Sequence, residues 1–320
     1  MTSEGMQAVA QSPLDEAFLN AVWEGLAATP KAIPPKYFYD ARGSELFEAI
    51  CRLPEYYPTR TERAILERYG SDLADALGTG SLLIEPGAGS CEKVRLLLEP
   101  LWPAAYVPVE ICRQMVDSAA AALQREHPWL PVYPRVGDFS QLEGLLGDVP
   151  THGHPVVFFP GSTVGNLEPG EVVGFLQRLA RVVGPGGHLL IGVDLKKDPL
   201  ILEAAYNDAE GVTAAFNRNL LVRINRELGA DFDPGAFGHR AVYEPEHGRV
   251  EMHLVSRIDQ TVHVAGRPFR FKAGESLHTE NSYKYDLDQF AALAREAGFA
   301  RQHYWTDERG WFSVQALRAE

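Results

Sequence analysis

The alternation of apolar runs and helical patterns between Glu62 and Asp194 sets the narrowest limit on what this chain can fold into. Apolar runs of strand length lie at 81–85, 105–109, 131–136, 155–159 and 188–193. The run PVVFF at 155–159 is continuously apolar, as suits a strand covered on both faces. Helices are expected near 60–77, 91–101, 112–126 and 169–183. The last stops at GPGG (184–187), where glycine suits a helix C-terminus. Strands alternating with helices of this length predict a parallel sheet. After Asp194 the rhythm lapses. Residues 196–227 read as helical and 240–285 as several antiparallel strands, before a helix at 286–297 and two strands around 302–318 restore the first texture. At the other end, Phe18, Val22 and Leu26 mark a helix over 13–29. Pro30, Pro34 and Pro35 then break the chain. The aromatic-rich stretch 35–60 is expected to hold a short helix near 44–52 and a structured loop with Tyr56 and Tyr57. The predicted architecture is α/β. A Rossmann-like domain (61–195 plus 286–320) shares the chain with an α+β domain (1–60 plus 196–285).

Bulk properties narrow the partners. The net charge of −13 and the absence of any Lys/Arg-rich run argue against nucleic acid, whose phosphates such a surface repels. Three cysteines, Cys51, Cys91 and Cys112, share no CxxC spacing and read as reduced thiols. No apolar run reaches the length of a membrane span, and no leader segment is expected. The resulting expectation is a cytoplasmic protein, monomeric, that binds neither nucleic acid nor membrane.

In open α/β sheets, ligands sit beyond the carboxyl ends of strands near the topological switch point. The stretch SLLIEPGAGSCEK (81–93) brings a strand into a Gly-Ala-Gly turn there. Gly87 and Gly89 permit positive φ and close backbone approach to a ligand. Glu110 closes the next strand, where a carboxylate can accept from two ribose hydroxyls. Asp138 and Phe139 follow the third strand, suited to an adenine amino group and ring face. Thr163 and Asn166 follow the fourth, nearest a reacting centre. Singly, each is an ordinary turn or loop residue; together, at successive strand ends, they read as a nucleotide-like site. The glycine pattern departs from the dinucleotide fingerprint, because Glu92 follows Gly89 by three. That favours S-adenosylmethionine over a nicotinamide dinucleotide. His152 and His154 find no third ligand in the sequence, and no metal site is expected.

Several segments carry a more specific pattern: PPKYFYDARGSELFEAI (34–50), RLPEYYPTRTE (52–62), GAGSCEK (87–93), GDF (137–139), GSTVGNLEP (161–169), YNDAEGVTAAFNRN (206–219), RVEM (249–252) and TENSYKY (279–285). Over nearly the whole chain this resembles the S-adenosylmethionine-dependent histidine Nα-methyltransferases of ergothioneine biosynthesis. The resemblance implies that Gly87, Gly89, Lys93, Glu110, Asp138 and Phe139 hold S-adenosylmethionine, with Glu110 standing where the family has Asp. It also implies a small-molecule pocket for free L-histidine built from Tyr56, Asn166, Tyr206, Phe216, Met252, Glu280 and Ser282. Tyr39 and Asn166 would lie nearest the reacting amine. Asn166 and Tyr206 would donate to the carboxylate. Glu280 and Ser282, two apart on one strand face, would read the imidazole, and Met252 with the aromatics would wall the ring. The expected reaction is successive Nα-methylation to the betaine hercynine. An enzyme methylating tryptophan or tyrosine, and a non-catalytic S-adenosylmethionine-binding protein, remain the alternatives.

Overall fold

A computed structural model of the protein describes residues 13–138, 141–147, 149 and 153–320. The strands, in chain order, are β1 (Lys31–Ala32), β2 (Leu82–Pro86), β3 (Ala105–Glu110), β4 (Arg135–Val136), β5 (Pro155–Phe159), β6 (His188–Asp194), β7 (Phe237–Glu244), β8 (Arg249–Ser256), β9 (Gln260–Val264), β10 (Arg267–Phe271), β11 (Ser276–Tyr283), β12 (Phe299–Thr306) and β13 (Phe312–Ala319). Seven of them form one sheet in the order β12-β13-β6-β5-β2-β3-β4. β2 to β6 are mutually parallel, while β13 runs antiparallel to both β6 and β12. From β2 the chain moves outward to β3 and β4, then returns to β5 on the other side of β2. The switch point therefore lies between β2 and β5.

Alternation along these strands builds two apolar layers. Ile84, Val107, Val109, Val157, Phe159, Leu189 and Ile191 face one layer. Leu83, Tyr106, Val156, Phe158 and Leu190 face the other. The helices Pro169–Val183 and Leu287–Glu296 cover the first through Val172, Phe175, Leu176, Phe290 and Ala294. The helices Tyr57–Arg68, Gly70–Leu77 and Arg113–Glu126 cover the second through Ile65, Leu66, Leu73, Leu77 and Leu123. A third core draws its buried members from residues 18–57 and 202–277, among them Phe18, Val22, Leu26, Phe38, Phe216, Leu220, Met252 and Leu277. Its sheet has the order β1-β11-β8-β7, with the β9–β10 hairpin beside it.

Local chemistry explains where element boundaries differ from the sequence expectation. The run 131–136 yields only Arg135–Val136 plus a single bridge from Val132 to Tyr106. Pro131 and Pro134 interrupt it, because proline has no N–H for the ladder. The helix expected over 60–77 is two helices, Tyr57–Arg68 and Gly70–Leu77. It starts earlier than expected, so Tyr57 opens a helix instead of sitting in a loop, with Pro58 in the first turn where a missing N–H costs nothing. The helix expected over 91–101 begins only at Arg95. The helical region 196–227 splits into Pro199–Tyr206 and Val212–Leu228. Asp208 starts the second by accepting from the Val212 and Thr213 amides, both at 2.8 Å.

Candidate active site

The expected cofactor edge lies where β2 and β3 end. The amides of Gly87 and Ala88 donate to Val109 O at 2.8 and 3.1 Å, so the glycine turn hangs from the end of β3. Gly87 (φ 71°) and Gly89 (φ 53°) both occupy the left-handed region, where a side chain is strained. Among the described residues, nothing beyond the chain neighbours lies within 4 Å of where a Cβ would sit on either residue, so the turn is open on that side. The Glu110 carboxylate accepts from the Gly89, Ile111 and Cys112 amides at 3.1, 2.9 and 3.3 Å. Three amides leave a carboxylate, with about four lone-pair sites, able to accept once more. Asp138 follows β4, and its carboxylate lies 3.9 Å from Lys36 Nζ. The expected ring partner Phe139 and the loop histidine His152 lie outside the described residues. His154 bonds Leu77 O at 2.6 Å. Among the described residues no group of three or more His, Cys, Asp or Glu side chains is arranged to hold a metal.

Beside this edge is a buried clamp. Glu62, fully buried, accepts from the Gly161 amide at 2.9 and 3.0 Å and from Lys93 Nζ at 2.6 Å. Lys93 is thus tethered by Glu62 while its side chain stays partly exposed. Gly192 makes room for this acid: a Cβ there would lie 2.0 Å from Glu62 Oε1. Ser162 follows Gly161 in a left-handed conformation (φ 57°), and its hydroxyl accepts from the Asp194 amide at 2.9 Å. These bonds fix the short turn Thr163–Asn166, which packs on β11. Asn166 sits half-buried on that turn, and its side-chain amide makes no hydrogen bond to any described residue.

A small cavity of about 20 Å³ is lined by Phe47, Ile50, Tyr56, Ala205, Tyr206, Thr213, Phe216, Met252 and Glu280. Five residues named from the sequence, spread over more than 220 positions, therefore meet at one point. Tyr39 stands next to them, edge-on to Phe47 and Phe216 at 5.7 and 5.8 Å. Met252 and Glu280 are cross-strand partners on β8 and β11, just past a bulge between His278 and Glu280. Bulges re-aim side chains in this way. The Glu280 carboxylate has no hydrogen-bond partner among the described residues although the residue is only 7% exposed. Burial pushes its pKa up to about 7, against the pull of the Lys284 ammonium. Burial also raises Tyr39, Tyr56 and Tyr206 above the ordinary phenol value, with Glu280 adding to the rise at Tyr39 and Tyr56. All three stay protonated at neutral pH, so they act as hydrogen-bonding groups and not as bases.

Ser282 departs from its expected place. It does not line the cavity. Its Oγ accepts from Tyr206 Oη and Lys284 Nζ, both at 2.7 Å. The sequence reading also missed the polar cluster beneath. Asp194, at the end of β6, accepts from Tyr57 Oη at 2.7 and 2.8 Å and pairs with Lys197 at 2.6 Å and Lys284 at 2.8 Å. Burial opposes its ionisation, but Lys284 and Lys197 outweigh that and hold its carboxyl below the usual range. The available signal was positional: Asp194 ends a strand at the carboxyl edge where ligands gather.

Comparison with known proteins bears directly on this arrangement. A family model described as "Histidine-specific methyltransferase, SAM-dependent" matches residues 18–319. The chain belongs to this family. Members of the histidine-specific methyltransferase family are S-adenosylmethionine-dependent, and the chain is an enzyme of that kind. It is 44% identical over 305 residues to the histidine N-alpha-methyltransferase of Mycolicibacterium smegmatis, covering 93% of this chain and 94% of that one. It is 44% identical over 299 residues to the histidine N-alpha-methyltransferase of Mycobacterium tuberculosis, covering 92% of each. Ergothioneine biosynthesis protein 1 of Neurospora crassa is 30% identical over 292 residues, covering 87% of this chain and 32% of that longer protein. No helix among the described residues is long and apolar enough to cross a membrane.

Proposed function

We propose that the chain methylates the α-amine of free L-histidine, three times in succession, to give hercynine in ergothioneine biosynthesis. The observation that carries this reading is the unpartnered Glu280 carboxylate beside a cavity walled by Tyr56, Phe216 and Met252. A buried acceptor without a partner is costly unless a ligand supplies the donor. An imidazole N–H does so, while its ring faces pack on the aromatic wall. Asn166, with its free amide, serves the carboxylate or the amine.

The cofactor edge fits an adenosyl ligand: an open glycine turn, an acid with acceptor capacity at Glu110, and a further acid at Asp138. Lys93 would meet the negative end of the ligand while Glu62 holds it in place. Bound there, S-adenosylmethionine supplies an electrophilic methyl group on a sulfonium. The protein's part is to hold a neutral amine in line with that methyl and to exclude water, and such positioning supplies much of the rate. With Tyr39, Tyr56 and Tyr206 protonated, the amine loses its proton to solvent and is then oriented by Tyr39 and Asn166. In this reading the cofactor belongs to the unit 61–195 plus 286–320 and the amino acid to the unit 1–60 plus 196–285. The enzyme acts as a cytoplasmic monomer. Mass spectrometry after incubation with S-adenosylmethionine and a panel of free amino acids tests the reading. A trimethylated product from histidine alone supports it. A methylated tryptophan or tyrosine without a histidine product overturns it.

A further inference from the structure

Lys284 is a buried cation with no place in the chemistry described so far. It follows β11 four residues after Glu280 and two after Ser282, and it is 2% exposed. Its ammonium has three protons and three acceptors: Asp194 Oδ2 at 2.8 Å, Ser282 Oγ at 2.7 Å and Tyr206 Oη at 3.1 Å. The donor count is therefore closed, and Lys284 has no proton left for a ligand. What it does instead is occupy lone pairs on two hydroxyls, that of Tyr206, which lines the cavity, and that of Ser282 behind it. Ser282 Oγ accepts from Lys284 and Tyr206, so both of its lone pairs are filled and its own proton has no acceptor among the described residues. Tyr206 accepts from Lys284, and its proton is the part free to turn, toward Ser282 or toward a ligand.

We propose that Lys284 is a positioning residue that fixes the hydrogen-bond polarity of Tyr206, presenting its hydroxyl to the amino-acid ligand as a donor and so selecting a carboxylate-bearing substrate, with Ser282 as the acceptor that holds the Tyr206 proton until a ligand arrives. Asp194 anchors the cation from the neighbouring sheet. Burial alone would discharge Lys284, but the Asp194 carboxylate outweighs it and keeps the amine charged. The charged groups facing Lys284 are Asp194 from β6, Lys197 beyond it, and Glu280 on its own strand, with Tyr57 and Tyr206 as the neighbouring phenols.

The proposal rests on the histidine reading above, and its test separates the two. Wild-type enzyme is first assayed with histidine; absence of methylated histidine refutes that reading and leaves nothing for Lys284 to select. With turnover established, Lys284→Met is compared with wild type for histidine and for histidinamide, whose carboxylate is replaced by a neutral amide. The expected result is a loss of histidine binding of about 10–100-fold, the range for a hydrogen bond to a charged group. Histidinamide should lose far less, and the affinity for S-adenosylmethionine should stay unchanged. Equal losses for both ligands, or unchanged histidine binding, overturn the proposal, since a merely structural lysine would not distinguish them. Tyr206→Phe, which keeps the ring and the lysine, is the second variant should Lys284→Met not fold. It should reduce the histidine/histidinamide preference in the same direction, and an undiminished preference likewise overturns the proposal.

Discussion

Replacing Glu280 by glutamine should weaken the enzyme's hold on histidine while making the unliganded protein more stable. The shape is kept and only the charge goes. At pH 8 the Glu280 carboxylate is ionised in a site that burial makes unfavourable for charge. A pKa moved from 4.5 to about 7 corresponds to about 3 kcal/mol of lost stability above that pH, at about 1.4 kcal/mol per pH unit. The sign follows from proton binding. Between pH 4.5 and 7 the folded state holds the proton that the unfolded chain has released, so the wild type loses stability as pH rises through this window. The amide of the Glu280→Gln variant has no such proton to lose. The difference between the two proteins should be near zero at pH 4.5 and reach its full value above pH 7. With an unfolding entropy of about 2.1 cal/mol/K per residue, 3 kcal/mol is about 4–5 °C in Tm for a chain of this length.

The substrate side runs the other way. A hydrogen bond to a charged acceptor is worth about 1.5–3 kcal/mol, so histidine KM should rise about 10–100-fold while the affinity for S-adenosylmethionine is unchanged. Thermal unfolding across pH 4.5–8, paired with steady-state kinetics, reads both effects. A Tm difference independent of pH would refute the claim that Glu280 is buried without a partner. An unchanged histidine KM would refute its role in the pocket. Loss of cofactor affinity would place Glu280 at the wrong ligand.

Gly87→Ala should cost about 1 kcal/mol of stability from its positive φ without a clash, as unfolding in denaturant will measure. Its effect on S-adenosylmethionine binding, read by calorimetry, should exceed that cost if the cofactor lies on the turn. Glu85 is buried against Tyr106 Oη at 2.5 Å, and burial raises its pKa to about 8. Glu85→Gln should therefore match wild type near pH 4.5, gain stability on it as pH rises toward 8 and keep the full difference above 8, seen as a pH-dependent Tm difference. Glu62→Ala should lower cofactor affinity about 10-fold or more, because the Gly161 amide and the Lys93 ammonium both lose their buried partner. Tyr39→Phe should slow turnover with histidine affinity little changed, and equal rates at all three methyl transfers would remove Tyr39 from the reacting centre.

The pattern of residues made much of this legible and left a definite part hidden. Strand-length apolar runs gave the parallel sheet because burial on both faces leaves a continuous signature, as in Val156–Phe159. The run at 131–136 misled because Pro131 and Pro134 remove ladder donors while leaving the composition strand-like. Phe216, Met252 and Glu280 were within reach only through the family resemblance. No periodicity links a residue on the helix Val212–Leu228 to residues on β8 and β11, and only the fold brings them to one cavity.

Asp194, Lys284 and Glu62 were the least visible, and for a common reason. A buried charge is stable only when its partners close around it. Those partners here come from separate segments: Tyr57, Lys197 and Lys284 around Asp194; Gly161 and Lys93 around Glu62. In one dimension Asp194 and Lys284 are ordinary charged residues at strand ends, and Glu62 is one more charge within a helix. In three dimensions the two clusters meet at the Gly161–Asn166 segment, with Glu62 bonded to Gly161 and the Asp194 amide bonded to Ser162. Both reach that segment through the helix Tyr57–Arg68, which carries Tyr57 to Asp194 and Glu62 to Gly161. One helix thus ties the polar floor of the proposed amino-acid cavity to the proposed cofactor edge. A variant that shifts this helix should disturb both ligands together, whereas Lys284→Met and Glu280→Gln should each disturb only one.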